Sequence, residues 1–352
     1  MRVVFDQELL AGTYPATTVS FFLEMIRLMA DMAPEDEFVL LTKHGKRLKD
    51  PMPDNVFLSV PSNFATRFLG SRFLTRIRLP KDVKKLAPDL FVGFDNISLH
   101  RYPGKKVLVL IDILPGSLQL TKASAAASSV IKYQKEPLIK GNFKAFPIPY
   151  PQAEYRLSWG LKENIKIQYT AGYDYFLFAG DIDQRYQLEN LLKAFSLFKQ
   201  WQQSSMRLVI AGRETPATAA FEAKLDTYKY RADVVLFKNV PFNDLRELVS
   251  AAYAFVYPAS TENFPVSLLQ AMAHGVPVIT TDLPVIREWT AGSAVYIGAE
   301  AVNGFFKAMQ LLYKDETERD AVIAAQDKLL SDSEPVFARQ LLDELHRISD
   351  QK

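Results

Sequence analysis

The chain has 352 residues, of which 48% are hydrophobic and 23% charged, and its formal net charge is +2. A chain of this length is too long for one compact core, so we expect two domains. No apolar run approaches the roughly 18 residues that span a bilayer, which argues against a transmembrane protein. The first residues lack the apolar core of a signal peptide, so we expect a cytoplasmic protein.

The residue inventory argues against several kinds of site. The chain has no Cys, which excludes disulfides, thiolate nucleophiles and zinc-ribbon sites. Its four His residues are scattered without the spacing of metal ligands (His44, His100, His274 and His346). We therefore expect no metal site.

Short β-rich runs alternate with amphipathic helical stretches, which is typical of βα units with parallel sheets. The strand candidates of the first half are RVVFD, FVLLT, VFLSV, DLFVGF and KVLVLID. Those of the second half are YFLFAG, RLVIAG, VVLF, AFVYP and PVITT. Because the alternation of strands and helices begins again in the second half, we predict one Rossmann-like domain over residues 1–150 and another over 151–335. The amphipathic stretch within 336–352 is expected to form a helix that packs back on the first domain.

Positive charge is concentrated in the first half. Residues 1–150 carry 21 Lys and Arg against 14 Asp and Glu, whereas residues 151–352 carry 21 against 26. Segment 67–85, RFLGSRFLTRIRLPKDVKK, has seven basic residues and one acidic residue. It is consistent with a solvated helix face, and also with binding to an anionic membrane surface or a polyprenyl phosphate. It lacks the aromatic interleaving of a nucleic-acid site, so we expect no nucleic-acid partner.

The middle of the chain contains a linker candidate and a clear helix. FKAFPIPYPQ, residues 143–152, has three prolines, which cannot continue a helix or lie in a central strand. Beyond it, apolar residues at steps of three and four predict a helix that covers a sheet face (Leu188, Leu191, Leu192, Phe195, Phe198 and Trp201).

The stretch PASTENFPVSLLQAMAHGVPVITTD, residues 258–282, follows a predicted strand and leads into a short apolar helix. Open α/β sheets bind ligands outside the carboxyl ends of their strands. The amide groups at the helix start, near residues 264–267, favour a phosphate. Glu262 could accept hydrogen bonds from ligand hydroxyls, or it could simply cap a surface loop.

This stretch resembles the donor-site segment of glycosyltransferase family 4, a family with the GT-B fold. The family pattern is a strand ending in Pro-Ser, then Glu-x-Phe-Gly or Glu-x-Phe-Pro, Leu-Leu-Glu-Ala-Met-Ala and Gly-x-Pro-Val. YFLFAGDIDQRYQLENLLKAF, RLVIAG and VVLFKNVPFNDLRELVSAA resemble earlier family segments in the same order. The resemblance covers residues 170–345 and implies an α/β GT-B protein with two Rossmann-like domains facing a central cleft.

The implied activity is transfer of a sugar from a nucleotide-diphosphate sugar to an acceptor hydroxyl, with retention of configuration and without a bound metal. In the family, an Arg after a glycine, a nearby Lys and a helix N-terminus stabilise the departing diphosphate. A first Glu contacts the donor sugar, and a second Glu eight residues later binds the ribose. No cofactor beyond the donor is implied.

The carry-over to this chain is uneven. Glu262 matches the first Glu, but Gln270 occupies the position of the second, with a penalty of roughly 1 to 2 kcal/mol in donor binding. Asp181 occupies the position of the Arg and Tyr186 that of the Lys. A carboxylate about 4 Å from a phosphate repels it by roughly 4 kcal/mol at an effective dielectric near 20. Three alternatives follow: Arg185 or Arg213 compensates, Asp181 points away, or the donor phosphate does not lie at this position.

Further donor-site residues are expected from the same resemblance. Arg213, at the end of RLVIAG, is a second candidate cation, although an Arg at a strand end is often only solvated. The other donor-binding candidates are Gly180, Asn263, Phe264, Val266 and Ser267.

The amino-terminal half resembles the family weakly. Gly12 lies in the turn after the first strand, where the family has a glycine-rich loop near the donor. Asp112 ends the strand VLVLID and is a catalytic candidate together with Glu262 and Arg185. Only about 35 residues separate Asp112 from the linker, so a βα unit is expected to be shortened or lost.

Two functions from different classes are compatible with these residues. The first is a retaining glycosyltransferase acting in the cytoplasm or at the inner membrane face, with a nucleotide sugar as donor and a saccharide or polyprenyl-linked acceptor in polysaccharide synthesis. The second is a catalytically degenerate GT-B protein that binds a glycan or a partner subunit. A sugar-phosphate enzyme of related fold, such as an epimerase, is a third reading.

Overall fold

The computed structural model describes residues 1–10, 14, 16–42, 51–60, 83–94, 102–110, 127–132, 143–145, 156–262, 264–298, 301–332 and 336–351. The chain divides into two compact units. Unit 1 comprises Met1–Tyr14, Thr18–Pro149 and Pro335–Lys352, and unit 2 comprises Pro15–Thr17 and Tyr150–Glu334. Each unit contains one parallel sheet.

The described part contains the following regular elements. The strands are Arg2–Phe5 (β1), Glu37–Leu41 (β2), Val56–Ser59 (β3), Leu90–Phe94 (β4), Lys106–Val109 (β5), Ser129–Lys132 (β6), Phe143–Ala145 (β7), Tyr175–Asp181 (β8), Arg207–Arg213 (β9), Val234–Lys238 (β10), Ala254–Tyr257 (β11), Val278–Thr281 (β12) and Val295–Ile297 (β13). The α-helices are Ala16–Met32 (α1), Trp159–Thr170 (α2), Leu188–Gln202 (α3), Thr218–Asp226 (α4), Phe242–Ser250 (α5), Val266–Ala273 (α6), Pro284–Thr290 (α7), Ala301–Lys314 (α8), Glu316–Ser331 (α9) and Val336–Asp350 (α10).

The sheet of unit 1 has seven strands in the order β3-β2-β1-β4-β5-β6-β7. Strands β4 and β5 are buried along their whole length. Their apolar runs are those of parallel strands that are covered on both faces. The order reverses between β1 and β4, which is the arrangement of a doubly wound α/β sheet.

Helix α10 belongs to unit 1 although it ends the chain. Its buried apolar residues recur at steps of three and four (Ala338, Leu341, Leu342, Leu345 and Ile348). The buried Glu344 accepts hydrogen bonds from Ser129 at 3.4 Å and from Arg347 at 2.7 and 2.8 Å. His346 lies 2.6 Å from Asp36. These contacts join the last helix to β6 and to the residue before β2.

The structure corrects one expectation about the end of the first half. Residues 143–145 of the predicted linker form β7, which pairs in parallel with β6. They precede Pro147, the first of the three prolines, so their N–H groups remain available for a sheet edge. Strand β6 lies in the interval where a βα unit was expected to be shortened or lost, so a strand is present there.

The sheet of unit 2 has six strands in the order β10-β9-β8-β11-β12-β13. Chain connections run from β8 outward through β9 to β10, and then return to β11 on the other side of β8. The order therefore reverses between β8 and β11. This pair of strands places the loops that matter for function.

Helix α3 covers the sheet of unit 2 with most of the predicted stripe. Leu188, Leu191, Leu192, Phe195 and Phe198 are buried. Trp201, predicted as the last member, is 69% exposed. The prediction that Trp201 covers the sheet is wrong because the helix ends one residue later, at Gln202, with Gln203 in the left-handed conformation. Among the described helices, none is long and apolar enough to cross a bilayer.

Candidate functional site

The loops after β8 and β11 meet where the strand order of unit 2 reverses. Strand β8 pairs with β9 from Tyr175 to Asp181, but its pairing with β11 involves only Phe176 and Leu177. Ser260, after β11, donates hydrogen bonds from its N–H and its hydroxyl to the carbonyl of Arg185, at 2.6 and 2.9 Å. Open α/β sheets bind ligands at the carboxyl ends of strands at such a reversal.

Asp181, at the end of β8, is a buried carboxylate paired with two arginines. Arg213 is its neighbour across the sheet and donates to both oxygens, from Nε at 2.9 Å and from Nη2 at 2.8 Å. Arg185 donates from Nη2 at 3.3 Å. The Asp181 side chain is 4% exposed, whereas those of Arg213 and Arg185 are 34% and 30% exposed. The carboxylate thus holds two guanidinium groups at the surface of the strand ends.

This pairing changes the electrostatic problem raised by the sequence. The estimated repulsion between Asp181 and a phosphate applies to a carboxylate without a compensating cation. Here two guanidinium groups lie within 3.3 Å of Asp181, and a second carboxylate, Asp183, also contacts Arg185 at 3.2 Å. Their attraction for an anion opposes the repulsion from the carboxylate. Asp181 therefore does not by itself exclude an anionic ligand.

Arg185 is held through its backbone N–H as well as through its side chain. Asp183 caps the short 3-10 helix Gln184–Tyr186 by accepting from the Arg185 N–H at 2.7 Å. The same carboxylate accepts from Arg185 Nε at 3.2 Å. The guanidinium carbon lies 5.4 Å from the centre of the Tyr186 ring. Arg185 is held by carboxylates on both sides, which limits its movement.

Two paired glycines precede the charged residues at the ends of β8 and β9. Gly180 is opposite Gly212, one residue before Asp181 and Arg213. A Cβ on Gly180 would lie 2.9 Å from the ring of Phe178, and a Cβ on Gly212 would meet Ile182 and lie 3.1 Å from the Gly180 carbonyl oxygen. A side chain at Gly180 would therefore displace Phe178, and one at Gly212 would displace Ile182 and crowd the Gly180 carbonyl.

Glu262, in the loop after β11, is held by hydrogen bonds at both carboxylate oxygens. Its Oε2 accepts from the hydroxyls of Tyr257 and Tyr186, the latter at 3.4 Å. Its Oε1 accepts from the Phe264 N–H at 2.9 Å. The side chain of Phe264 packs edge-on against Trp289, with ring centres 4.9 Å apart. The carboxylate is anchored to β11, to the 3-10 helix after β8 and to the start of the next helix.

The two tyrosines that contact Glu262 are buried, and the pKa of each hydroxyl is raised. Burial and the charge of Glu262 raise the pKa of Tyr186 and the pKa of Tyr257. The two hydroxyl groups therefore stay protonated and can donate hydrogen bonds throughout the ordinary pH range.

The start of helix α6 differs from the expectation for a phosphate site. The N–H of Val266 donates to the Phe264 carbonyl at 2.8 Å, and the N–H of Phe264 donates to Glu262. Pro265 has no N–H. The amides of Phe264 and Val266 are thus engaged within the loop, because the tight turn before α6 satisfies them locally. Ser267, in the first turn, is buried.

Other predicted residues are placed as follows. Gln270 is half-buried on α6, and its main-chain carbonyl accepts from the His274 N–H at 3.1 Å. His274 is buried, with its Nδ1 3.0 Å from the hydroxyl of Ser250 on α5. Lys238 forms ion pairs with Glu214 and Glu222, at 3.2 and 3.0 Å. Gly12, Asp112 and Asn263 lie outside the described residues, as does most of segment 67–85.

Sequence reasoning missed one component of this site, the tyrosine pair. Tyr186 was noted only as the loss of a Lys, and Tyr257 was read only as part of a strand. The available signal was the position of Tyr257 at the carboxyl end of a buried strand, five residues before Glu262. A buried tyrosine hydroxyl usually has a hydrogen-bond partner.

Residues 162–329, which contain the whole of this arrangement, match the family model described as glycosyl transferases group 1. The carboxy-terminal half of the chain is therefore similar to this family. The chain is also 31% identical, over 112 residues, to the O-antigen chain mannosyltransferase RfbU of Salmonella typhimurium. That match covers 32% of this chain and 31% of RfbU. A match to the lipopolysaccharide glucosyltransferase WaaG of Escherichia coli is 28% identical and covers 38% of this chain and 33% of WaaG. The matched segments thus span about a third of these two curated relatives.

Solved structures extend the likeness to the whole fold. The crystal structure of WaaG, described as a glycosyltransferase involved in lipopolysaccharide biosynthesis, matches with a TM-score of 0.74 and 15% identity, over 98% of this chain and 99% of WaaG. Anabaena HepE in complex with UDP and glucose matches with a TM-score of 0.73 and 15% identity, over 99% of both chains. The predicted GT-B fold is therefore confirmed.

Proposed function

We propose that this protein is a retaining glycosyltransferase that moves a sugar from a nucleotide-diphosphate sugar to a saccharide or lipid-linked acceptor, in the synthesis of a cell-surface polysaccharide. The group 1 family match, the O-antigen mannosyltransferase relative and the structural likeness to HepE with UDP and glucose support the reaction class.

The observation on which the proposal depends most is the group Asp181, Arg185 and Arg213. When the sugar leaves, negative charge develops on the diphosphate, and preorganised cations at that position lower the barrier. Arg213 and Arg185 are held by a buried carboxylate, so little reorganisation is needed when the charge appears. In this chain the cation at the strand ends comes from β9 and from the 3-10 helix, rather than from the last residue of β8. With two guanidinium groups in this role, we propose that no metal ion takes part.

The carboxylate of Glu262 is proposed to contact the donor sugar. It is ordered by three hydrogen bonds, from Tyr186, Tyr257 and the Phe264 amide. A carboxylate with fixed orientation can accept from sugar hydroxyls without losing side-chain entropy on binding. Gln270, further along the same loop and helix, is proposed to hydrogen-bond the ribose, with an amide in place of a carboxylate.

The acceptor side belongs to unit 1 in this proposal, with Gly12 and Asp112 as the candidate residues. Segment 67–85 is proposed to bind an anionic membrane surface or a polyprenyl phosphate, because it carries seven basic residues and one acidic residue. The reaction would then take place in the cytoplasm, at the inner membrane face.

A thermal-shift titration with nucleoside diphosphates tests the donor assignment. Ligand that binds only the native state at 100 times its dissociation constant stabilises it by about 2.7 kcal/mol, which raises Tm by several degrees. We expect this rise with one of UDP, GDP, ADP and dTDP. Failure of all four to raise Tm would reject the transferase assignment and favour a degenerate GT-B protein that binds a glycan or a partner subunit.

A further inference from the structure

Two buried phenols converge on one oxygen of Glu262. Tyr257 is the last residue of β11, and Tyr186 is the last residue of the 3-10 helix after β8. Their hydroxyl oxygens are 3.3 Å apart, and both contact Glu262 Oε2. The two side chains reach this oxygen from separate loops at the reversal of strand order.

Each phenol has one proton, which limits how the three oxygens can be connected. Tyr257 makes the shorter contact to Glu262, so its proton points to the carboxylate. Tyr186, 3.4 Å from the same oxygen, can donate its own proton there. The carboxylate oxygen can accept both. The Phe264 N–H occupies the other oxygen, so the plane of the carboxylate is defined.

The rings hold the hydroxyl groups in place. Their centres are 5.3 Å apart, and that of Phe178 lies 5.1 Å from Tyr186 and 6.4 Å from Tyr257. Tyr186 is 5% exposed and Tyr257 is 2% exposed. Neither hydroxyl can turn to bulk water without disturbing the aromatic packing.

Both phenols remain hydrogen-bond donors to Glu262. Burial and the charge of Glu262 raise the pKa of each phenol, so both keep their protons. The other charged groups acting on Tyr186 are Arg185 and Asp181, which are paired with each other.

We infer that Tyr186 and Tyr257 are positioning residues that hold the Glu262 carboxylate in one orientation toward the donor sugar. The inference rests on the proposed function, in which Glu262 contacts that sugar. Aligned without a gap, Tyr186 falls where the family pattern has a Lys, and its hydroxyl contacts the carboxylate.

The first test compares Tyr257→Phe and Tyr186→Phe with the matched control Tyr175→Phe. Tyr175 is a buried tyrosine of β8 whose hydroxyl donates to the Leu248 carbonyl at 2.7 Å, away from Glu262. Calorimetric titrations from pH 5 to 8 measure the affinity of each variant for UDP-glucose and GDP-mannose. Parallel titrations measure its affinity for UDP and GDP.

For Tyr257→Phe we expect affinity for the nucleotide sugar to fall about tenfold, while affinity for the nucleoside diphosphate stays within twofold. Tyr186→Phe should act in the same direction more weakly, because its contact is longer. Equal losses for sugar and diphosphate would overturn the inference.

A second test does not need ligand binding, so it separates this inference from the proposed function. Urea unfolding midpoints are measured for Tyr257→Phe, Glu262→Gln and the double variant, with Tyr175→Phe and Glu262→Gln as the control cycle. In the Tyr257 cycle, we expect the double variant to shift the midpoint by less than the two single variants together. In the Tyr175 cycle, the shift of the double variant should equal the sum of the two single shifts. Additive shifts in the Tyr257 cycle would overturn the inference, even if the protein binds every donor. If no nucleotide binds but the coupling is present, only the proposed function fails.

Discussion

The two loops at the strand-order reversal of unit 2 differ in what they keep of the family pattern. The loop after β11 keeps the carboxylate, Glu262, and surrounds it with hydroxyl donors. The end of β8 loses the cation and presents Asp181, yet two arginines from neighbouring positions pair with it. A carboxylate at a position where the family pattern has a cation can thus be paired by arginines from neighbouring positions, if the fold places them in register.

The comparison predicts that the two loops fail in different ways, and Arg213 should show the largest effect. Arg213→Ala removes the bidentate partner of a buried carboxylate. We expect the free energy of unfolding to fall by about 2 kcal/mol and nucleoside diphosphate affinity to fall at least about 30-fold. Urea unfolding and calorimetric titration measure the two effects.

Arg207→Ala is the matched control for this variant. Arg207 begins the same strand, pairs with Asp233 and lies over the ring of Tyr173 at 4.5 Å. The Arg207→Ala protein should be less stable than the wild-type protein but should bind nucleotide with the same affinity. If the two variants bind nucleoside diphosphate equally well, the cation role of Arg213 is wrong.

Glu262 should show the next largest effect, and on a different quantity. Glu262→Gln keeps the shape of the side chain but removes its charge, so we expect kcat to fall by about 100-fold. Affinity for nucleoside diphosphate should change less than about threefold, because the diphosphate does not touch this residue in the proposed arrangement. Glu247→Gln, which alters a carboxylate that also accepts from a tyrosine, Tyr169 at 3.2 Å, serves as the control in a turnover assay.

Gln270 offers a variant that should improve binding. Gln270→Glu restores the carboxylate that the family pattern places on the ribose. We expect nucleotide affinity to rise by about fivefold to 30-fold, which corresponds to roughly 1 to 2 kcal/mol. Calorimetric titration of the two proteins with the same nucleoside diphosphate measures it. Unchanged affinity would mean that the ribose does not lie beside α6.

Lys238 should show the smallest effect. It is half exposed and pairs with Glu214 and Glu222 at the end of β10, two strands away from Asp181. Exposed ion pairs contribute little, so Lys238→Ala should leave the urea unfolding midpoint and the nucleotide affinity nearly unchanged. A marked loss of affinity would extend the cationic site to β10.

The sequence was most informative where local pattern and burial agree. Apolar runs between turn residues placed β1 to β5 and β8 to β12 correctly. Most of these parallel strands are buried on both faces and are apolar throughout, whereas the edge strand β3 exposes Phe57 and Leu58. It was less informative for β6 and β7, which have three or four residues each and contain Lys and Ser. Such short strands are specified by pairing with the neighbouring strand rather than by their own composition.

The candidate site shows the same limit. Glu262 could be selected from its loop and from the family pattern, but its donors could not, since Tyr186 is 76 residues away in the chain. The pairing of Asp181 with Arg213 depends on the register between β8 and β9, which a single sequence does not give. The engagement of the Phe264 and Val266 amides depends on the turn before α6. Each missed feature is a contact between segments, or a backbone geometry that residue types alone do not fix.

The central claim is that Arg213, held by Asp181, binds the diphosphate of the donor. The most direct measurement is the ratio of affinities for a nucleoside diphosphate and the matching nucleoside monophosphate, in the wild-type protein and in Arg213→Ala. We predict that the wild-type protein prefers the diphosphate by at least tenfold and that Arg213→Ala loses most of this preference. An Arg213→Ala protein that remains folded and keeps the full preference would contradict the claim.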